Sequence, residues 1–398
     1  MTLPSARASL TPFFLLSTTL SAGHGVMLTV LDDYRDRYGI SEGALGLVIG
    51  ISFFTSFLAA VTIGPLADRG HARRLVMIGL TLDVVGLVLT AASTSFATLS
   101  AGRLITGIGV GMATPAIRRI VVVSDPTRLG HNMGRLLAFD VAGLAFGPVT
   151  SAALAEPFGV GVPFLVVAGS NLVLVPWLLR VQVIEQPDDA TRERFAWTLL
   201  RHRPYASAVI LGCTVYLMVG TFDSLWALAL TDLGAGSWLI SIGVTVFALP
   251  LILLGTQGGR LAQQLGPWRL ATMGLLTGSA FMVSYGHLPT AALMFAAVMV
   301  HSFTDGLTLA SAGVAVGMSA PRERQAAAQG LLSGLQTLTA GCSAVMAGSL
   351  YEHVGRAGTY TATGVGMATM VLVARLLVRG TPYARMSRAP DPVGASPS

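Results

Sequence analysis

The sequence predicts an all-α membrane protein of 12 transmembrane helices in two pseudo-symmetric six-helix bundles. Three observations carry this. Of 398 residues, 53% are hydrophobic and only 11% charged, whereas about a quarter are charged in soluble domains. The apolar residues come in blocks long enough to cross a bilayer as a helix, which takes roughly 20 residues. Polar turns recur at one offset, 195 positions, close to half the chain. A mean hydropathy of +0.69 leaves too little charge to cover a soluble surface of this size.

Taken in order, the twelve apolar segments are Leu10–Leu31, Gly43–Gly64, Leu75–Thr94, Ala97–Val123, Met133–Ala155, Val160–Leu179, Tyr205–Leu228, Trp238–Thr256, Leu270–Gly286, Thr290–Ser319, Ala326–Tyr351 and Tyr360–Leu377. The fourth, tenth and eleventh are long enough to tilt or protrude. The first is long for a secretory h-region and lacks a basic start, so it reads as a helix of the bundle. Residues 1–179 then form one six-helix bundle, 180–204 a cytoplasmic linker, 205–379 the second bundle and 380–398 a disordered tail rich in Pro, Ser and Ala. Within the linker, Phe195, Trp197, Leu199 and Leu200 stand among arginines. They read either as a short amphipathic helix on the membrane surface or, with the stretch before them, as a solvated connection.

All 25 basic residues are arginine. The formal net charge of +6 would suit nucleic acid, but these arginines sit in short loops between apolar runs. With the N-terminus inside, the inner segments hold 19 arginines, the outer loops hold three, Arg35, Arg37 and Arg356, and three more, Arg103, Arg118 and Arg119, lie within the fourth helix. That bias sets the orientation. Both termini are expected in the cytoplasm, in a plasma (inner) membrane. Cys213 and Cys342 both lie in apolar runs and offer no disulfide or metal spacing.

One polar turn stands out. Gly64-Pro65-Leu66-Ala67-Asp68-Arg69-Gly70-His71-Ala72-Arg73-Arg74 joins the second and third segments. A weaker copy, Gly259-Arg260-Leu261-Ala262-Gln263-Gln264-Leu265-Gly266, follows 195 positions later, and Ser124-Asp125-Pro126-Thr127-Arg128 matches Ser319-Ala320-Pro321-Arg322-Glu323 at the same offset. Two halves in the same orientation follow, and parallel repeats of this kind place a substrate site near the midplane.

Across essentially the whole chain these motifs resemble the major facilitator superfamily. The hairpin resembles its signature loop through Gly64, Leu66, Ala67, Asp68, Arg69, Arg73 and Arg74, with His71 where a second glycine is usual and Gly70 one place early. Arg103, Gly107, Gly109 and Gly111 resemble the embedded-arginine motif of the fourth helix. Gly134, Gly143 and Gly147-Pro148 resemble the antiporter signature of drug-proton exporters, its closing glycines replaced by Ser151 and Ala152. The resemblance implies an exporter of small organic molecules driven by protons. It also implies that Asp68 approaches the start of the eleventh helix near Ala326 to Gly330, as a latch that favours the outward-open state. Independently of the family, small residues at helical spacing let backbones approach, and a proline bends a helix by removing one hydrogen bond.

Embedded ionisable groups cost about 2.5–3.5 kcal/mol each on insertion scales and so need a partner or a purpose. His301 and Asp305, one turn apart, are either a proton-coupling pair or a polar brace. Asp223, also a proton-coupling candidate, has Tyr216 and Trp226 near its face and suits the wall of a cavity for an aromatic or cationic solute; packing is the alternative. Asp140 is placed to pair with Arg118 or Arg119 as a structural or gating contact. His24, between two glycines, and Asp33, beside Asp32 at the outer end of the first helix, are further proton candidates; Asp32 and Asp33 read equally as a solvated helix end. Asp83 has no assigned role.

The reading is secondary active transport: proton-coupled efflux of a small organic solute by alternating access, with proton-coupled uptake or metabolite export as alternatives. One charge crossing 100 mV supplies about 2.3 kcal/mol, enough for a gradient of roughly fiftyfold. The absence of Lys excludes the Lys-containing phosphate-binding loop of ATP-driven pumps. No His-Glu-x-x-His or Cys-x-x-Cys occurs, so the chain is not expected to be an enzyme. A non-transporting sensor is the remote alternative. The expected partners are a small-molecule substrate, protons and the lipid bilayer, with no nucleic acid, cofactor or metal, and the protein is expected to act as a monomer.

Overall fold

A computed structural model of the chain describes residues 9–38, 42–185 and 196–384. Among the described residues the structure is helical, with no strand. Among these residues twelve α-helices follow one another: α1 (Thr11–Tyr38), α2 (Glu42–Thr62), α3 (Ala72–Ala91), α4 (Phe96–Ser124), α5 (Leu129–Phe158), α6 (Val162–Arg180), α7 (Arg203–Asp232), α8 (Ser237–Leu265), α9 (Pro267–His287), α10 (Ala291–Thr308), α11 (Ala310–Ser319) and α12 (Gln325–Val378). Their starts follow ordinary chemistry. Ser95 and Thr98 form a reciprocal cap on α4, Thr290 caps α10, and a proline stands in the first turn of α6, α7 and α9.

Eight helical stretches among the described residues are long and apolar enough to cross a membrane, against twelve apolar segments in the sequence. Part of the difference is fusion. The eleventh and twelfth segments lie in one stretch, where Gly355 (φ 69°, ψ −176°) breaks α12 into two helices. Only glycine takes that backbone conformation without strain. Part is polarity, since α9 opens Pro-Trp-Arg and ends Ser-Tyr-Gly-His. The tenth segment is divided as well: α10 and α11 meet at Leu309, whose helical dihedrals keep the chain running in one direction. In the linker, Ala196–Arg201 is a short 3-10 helix with Leu199 buried and Trp197 exposed. The tail expected to be disordered lies outside the described residues from 385 onward.

The chain divides into two compact units. Unit 1 comprises Met1–Pro126, Ala142–Arg194 and Gln325–Ala327; unit 2 comprises Thr127–Val141, Phe195–Arg324 and Ala328–Ser398. Each therefore holds most of one half of the sequence and a short piece of the other.

In unit 1, Val26, Met27, Val30, Leu87, Leu99, Phe164 and Val167 build the apolar interior, and Tyr34 donates to the Thr90 carbonyl at 2.8 Å. Helix α4 runs tight against two neighbours. A Cβ on Gly109 would lie 2.6 Å from the Gly79 carbonyl of α3, and one on Gly111 would strike Ser56 of α2. In unit 2, Trp268, Tyr205, Tyr285 and Tyr360 are almost wholly buried. There Tyr205 donates to the Ala328 carbonyl at 2.9 Å and Ser279 to the Gly364 carbonyl at 2.6 Å. Val173, Leu253 and Val345 are strongly exposed, as befits side chains whose solvent is lipid.

Candidate functional site

The hairpin between α2 and α3 carries several buried hydrogen bonds in unit 1. It folds as a 3-10 helix over Gly64–Arg69 and turns at Gly70 (φ 78°, ψ 19°). Gly70 thus supplies the left-handed residue that the shifted motif requires, and His71 Nδ1 donates to the Arg69 carbonyl at 2.8 Å. Asp68 is buried. Its Oδ1 accepts from the Ala326 amide at 2.9 Å and its Oδ2 from the Ala327 amide at 2.8 Å. Arg119 Nε donates to Oδ1 at 3.1 Å. The carboxylate therefore caps the start of α12, which has no side-chain cap of its own, and an arginine balances its charge. Charge-assisted hydrogen bonds of this kind are about twice as strong as neutral ones.

The neutral copy of the hairpin makes a neutral version of the same contact. Gln263 stands 195 positions after Asp68. In unit 2 its Oε1 accepts from the Gly130 amide, at the start of α5, at 2.8 Å, and its Nε2 donates to the Thr127 carbonyl at 3.0 Å. Gly130 is itself one offset before Gln325, so equivalent side chains cap equivalent helix starts. Beside it, Arg260 Nε donates to His131 Nδ1 at 3.0 Å.

The glycines of α5 all face another backbone. In unit 2 a Cβ on Gly134 would run into the Gly255 carbonyl of α8. In unit 1, Gly143 faces Thr18 of α1 in the same way, and a Cβ on Gly147 would lie 2.6 Å from the backbone of Gly25. Pro148 packs at that crossing too, 3.1 Å from where a Cβ on Gly25 would stand.

Unit 2 holds a buried polar triad. His301 Nε2 lies 3.4 Å from Asp305 Oδ1, one turn along α10, and Tyr285 Oη lies 2.8 Å from His301 Nδ1. Phe281 stacks on the imidazole at 4.8 Å, and Tyr360 packs edge-on to Tyr285. His301 is 3% and Asp305 2% exposed. Neither His301 Nε2 nor Asp305 Oδ2 makes a hydrogen bond. Sequence spacing pointed to His301 and Asp305; it did not point to Tyr285, sixteen residues earlier on α9. A tyrosine next to Gly286 near the end of an apolar run is the signal it leaves.

A second polar chain runs through unit 1. Thr19 donates to Asn171 Oδ1 at 2.5 Å, and Asn171 Nδ2 donates to Asp83 Oδ2 at 2.8 Å, tying α1, α6 and α3. Arg103 is buried and within electrostatic reach of Asp83 and His24. His24 contacts the Leu20 carbonyl at 3.3 Å and the Ser52 hydroxyl at 3.5 Å and stacks on Phe53. Asp83 thus gains partners that spacing alone did not reveal, because they come from two other helices, α6 and α4.

The remaining candidates are spread out. Asp223 is exposed on α7 and Tyr216 half-buried. Trp226 is 3% exposed and stacks on Phe222 at 5.1 Å. Arg119 is directed at Asp68 and at the Ile184 carbonyl, Arg118 and Asp140 are half-buried, and Arg74 is exposed. Asp33 falls within α1, but its side chain lies outside the described residues. Among the described residues no group of three or more His, Cys, Asp or Glu is placed to hold a metal ion.

Long apolar helices with buried charges, packed through glycine crossings, define an integral membrane protein. A model of the Major Facilitator Superfamily matches residues 13–235 and 209–396, and the chain belongs to that family of transporters. It is similar to the quinolone resistance protein NorA of Staphylococcus aureus, with 25% identity over 217 residues, 53% of this chain. That match spans about half the length of the relative, 55%. An uncharacterized MFS-type transporter of Bacillus subtilis, YceJ, is 23% identical over 313 residues, covering 74% of this chain and 77% of YceJ. Among solved structures, the human organic anion transporter MFSD10 (TETRAN) superposes with a TM-score of 0.77 at 16% identity, covering 94% of this chain and 100% of that one. FucP, in the outward conformation, gives 0.73 at 14% identity over 92% of this chain and 98% of that one. At such identities these two speak for the fold alone.

Proposed function

We propose that the chain exports small organic solutes from the cell in exchange for protons, by alternating access, from a plasma membrane in which both termini face the cytoplasm. The observation that carries the proton coupling is the buried His301–Asp305 pair. A carboxylate and an imidazole 3.4 Å apart together hold one shared proton as a neutral unit, and a low-dielectric interior favours neutrality. Gain or loss of that proton changes the charge of α10 by one unit, which a coupling site requires. The antiporter-like glycine series of α5 and the name of the NorA relatives support efflux and an aromatic drug-like cargo. In the same reading Asp68 is a latch: its bonds to the Ala326 and Ala327 amides close the cytoplasmic side, and opening inward must break them.

Purified protein in liposomes under an imposed pH gradient tests this, with fluoroquinolones, organic cations, organic anions and sugars screened as cargo. Asp305→Asn is expected to lower gradient-driven flux at least tenfold and flatten its pH dependence while gradient-free exchange persists. Unchanged rate and pH dependence in Asp305→Asn would overturn the coupling assignment, and uptake driven by an inward proton gradient would replace export with symport.

A further inference from the structure

Helix α3 begins at Ala72, yet His71 before it offers no side-chain cap. The first turn of any helix leaves amides unsatisfied, and here the partner comes from far along the chain. Glu185, just past α6, accepts from the Arg73 amide through Oε1 at 2.9 Å and from the Ala72 amide through Oε2 at 3.2 Å. The residue before it takes part as well, since the Ile184 carbonyl accepts from Arg119 Nη1 at 3.1 Å. The same Arg119 holds Asp68 through Nε. Arg73 adds a hydrogen bond from Nη2 to the Leu179 carbonyl. All of these residues belong to unit 1.

We propose that Ile184 and Glu185 form a strap that positions the hairpin, so that Asp68 meets the Ala326 and Ala327 amides, and that Glu185 is a positioning residue of the transport cycle. Two carboxylates then act in series. Glu185 caps α3 and fixes the end of the hairpin, Ile184 fixes the arginine, and the arginine and the hairpin together aim Asp68 at α12. A carboxylate on two helix-start amides favours the capped geometry, and losing a cap of this kind is worth about fivefold in the equilibrium. The linker is thereby more than a tether between two halves of the sequence, because its first residues reach the contact that the transport cycle makes and breaks. The inference rests on the latch reading of Asp68.

The test uses the full-length protein in liposomes, with Cys213 and Cys342 replaced by serine and Ala326→Cys as a reporter, because that side chain is fully buried. The rate of maleimide labelling from the cytoplasmic side is read alongside thermal stability. Glu185→Gln is expected to label about fivefold faster than the parent, and Glu185→Asp, which keeps the charge, within about twofold of the parent. Asp68→Asn should label faster still, and Asp68→Asn/Glu185→Gln no faster than Asp68→Asn alone. A wild-type labelling rate in Glu185→Gln beside fast labelling in Asp68→Asn overturns the strap and leaves the latch standing, even if stability falls. Multiplicative effects in the double variant overturn action through Asp68. Wild-type labelling in Asp68→Asn overturns the latch reading and the strap with it.

Discussion

Replacing Asp68 by asparagine removes a charge shared by one arginine and two helix amides, and leaves Arg119 buried with its charge unbalanced. Breaking a buried pair from one side costs about 3 kcal/mol or more. The expected outcome for Asp68→Asn is a loss of that size in chemical denaturation in detergent, whereas Arg74→Gln, at an exposed position of the same hairpin, should change stability by no more than about 0.5 kcal/mol. Asp68 was legible in the sequence because Leu-Ala-Asp-Arg interrupts an apolar run and a neutral copy recurs half a chain later. Glu185 was not. It sits in a stretch without period, and its partners are backbone amides 113 and 112 residues away, which leave no trace in side-chain pattern. Asn171 and Tyr285 were hidden for a similar reason: each makes its bond to a residue on another helix, and periodicity reports only on its own.

The glycine series of α5 acts at the scale of the helix. Alanine at Gly147 would put a methyl group 2.6 Å from the Gly25 backbone, where neither helix has a side chain that can give way. Gly147→Ala should therefore destabilise by about 1–3 kcal/mol, and because His24 adjoins Gly25 the substitution should disturb transport as well. Gly348→Ala, with open space around it, should be neutral or slightly stabilising when both variants are compared by thermal unfolding. Gly355 differs in kind, since its φ of 69° and ψ of −176° penalise any side chain by about 1–3 kcal/mol. The sequence marked the α5 glycines through their spacing and the proline that follows. It left Gly355 unremarked, one glycine among 46 in a loop that looked ordinary. The division of the tenth segment at Leu309 was likewise invisible, because no proline or charge lies within three residues of it to interrupt the apolar run.

For the molecule as a whole, composition and the recurring offset sufficed to read an all-helical membrane protein, and the family match agrees. The count of spans was less legible, because a hydropathy run does not say whether two neighbours are joined by a loop or by one broken helix. The repeat gains meaning at this scale, since Asp68 and Gln263 occupy equivalent places and cap equivalent helix starts. Gln263→Asp should strengthen the cap on Gly130 yet lose the bond to the Thr127 carbonyl, which only an amide can donate to. A shift in cysteine accessibility opposite to that of Asp68→Asn is the expected result.

The borrowed caps also bear on how the protein is made. The amides of Ala72 and Arg73 wait for a carboxylate more than a hundred residues later, and Asp68 waits for amides 258 and 259 residues later. A ribosome adding 5–20 residues per second delivers those amides on the order of ten to fifty seconds after Asp68. The hairpin is thus among the earliest turns to emerge and among the last to be completed. A chain halted before Ala326 carries Asp68 without its two amide partners, a chemical mark that separates unfinished protein from finished.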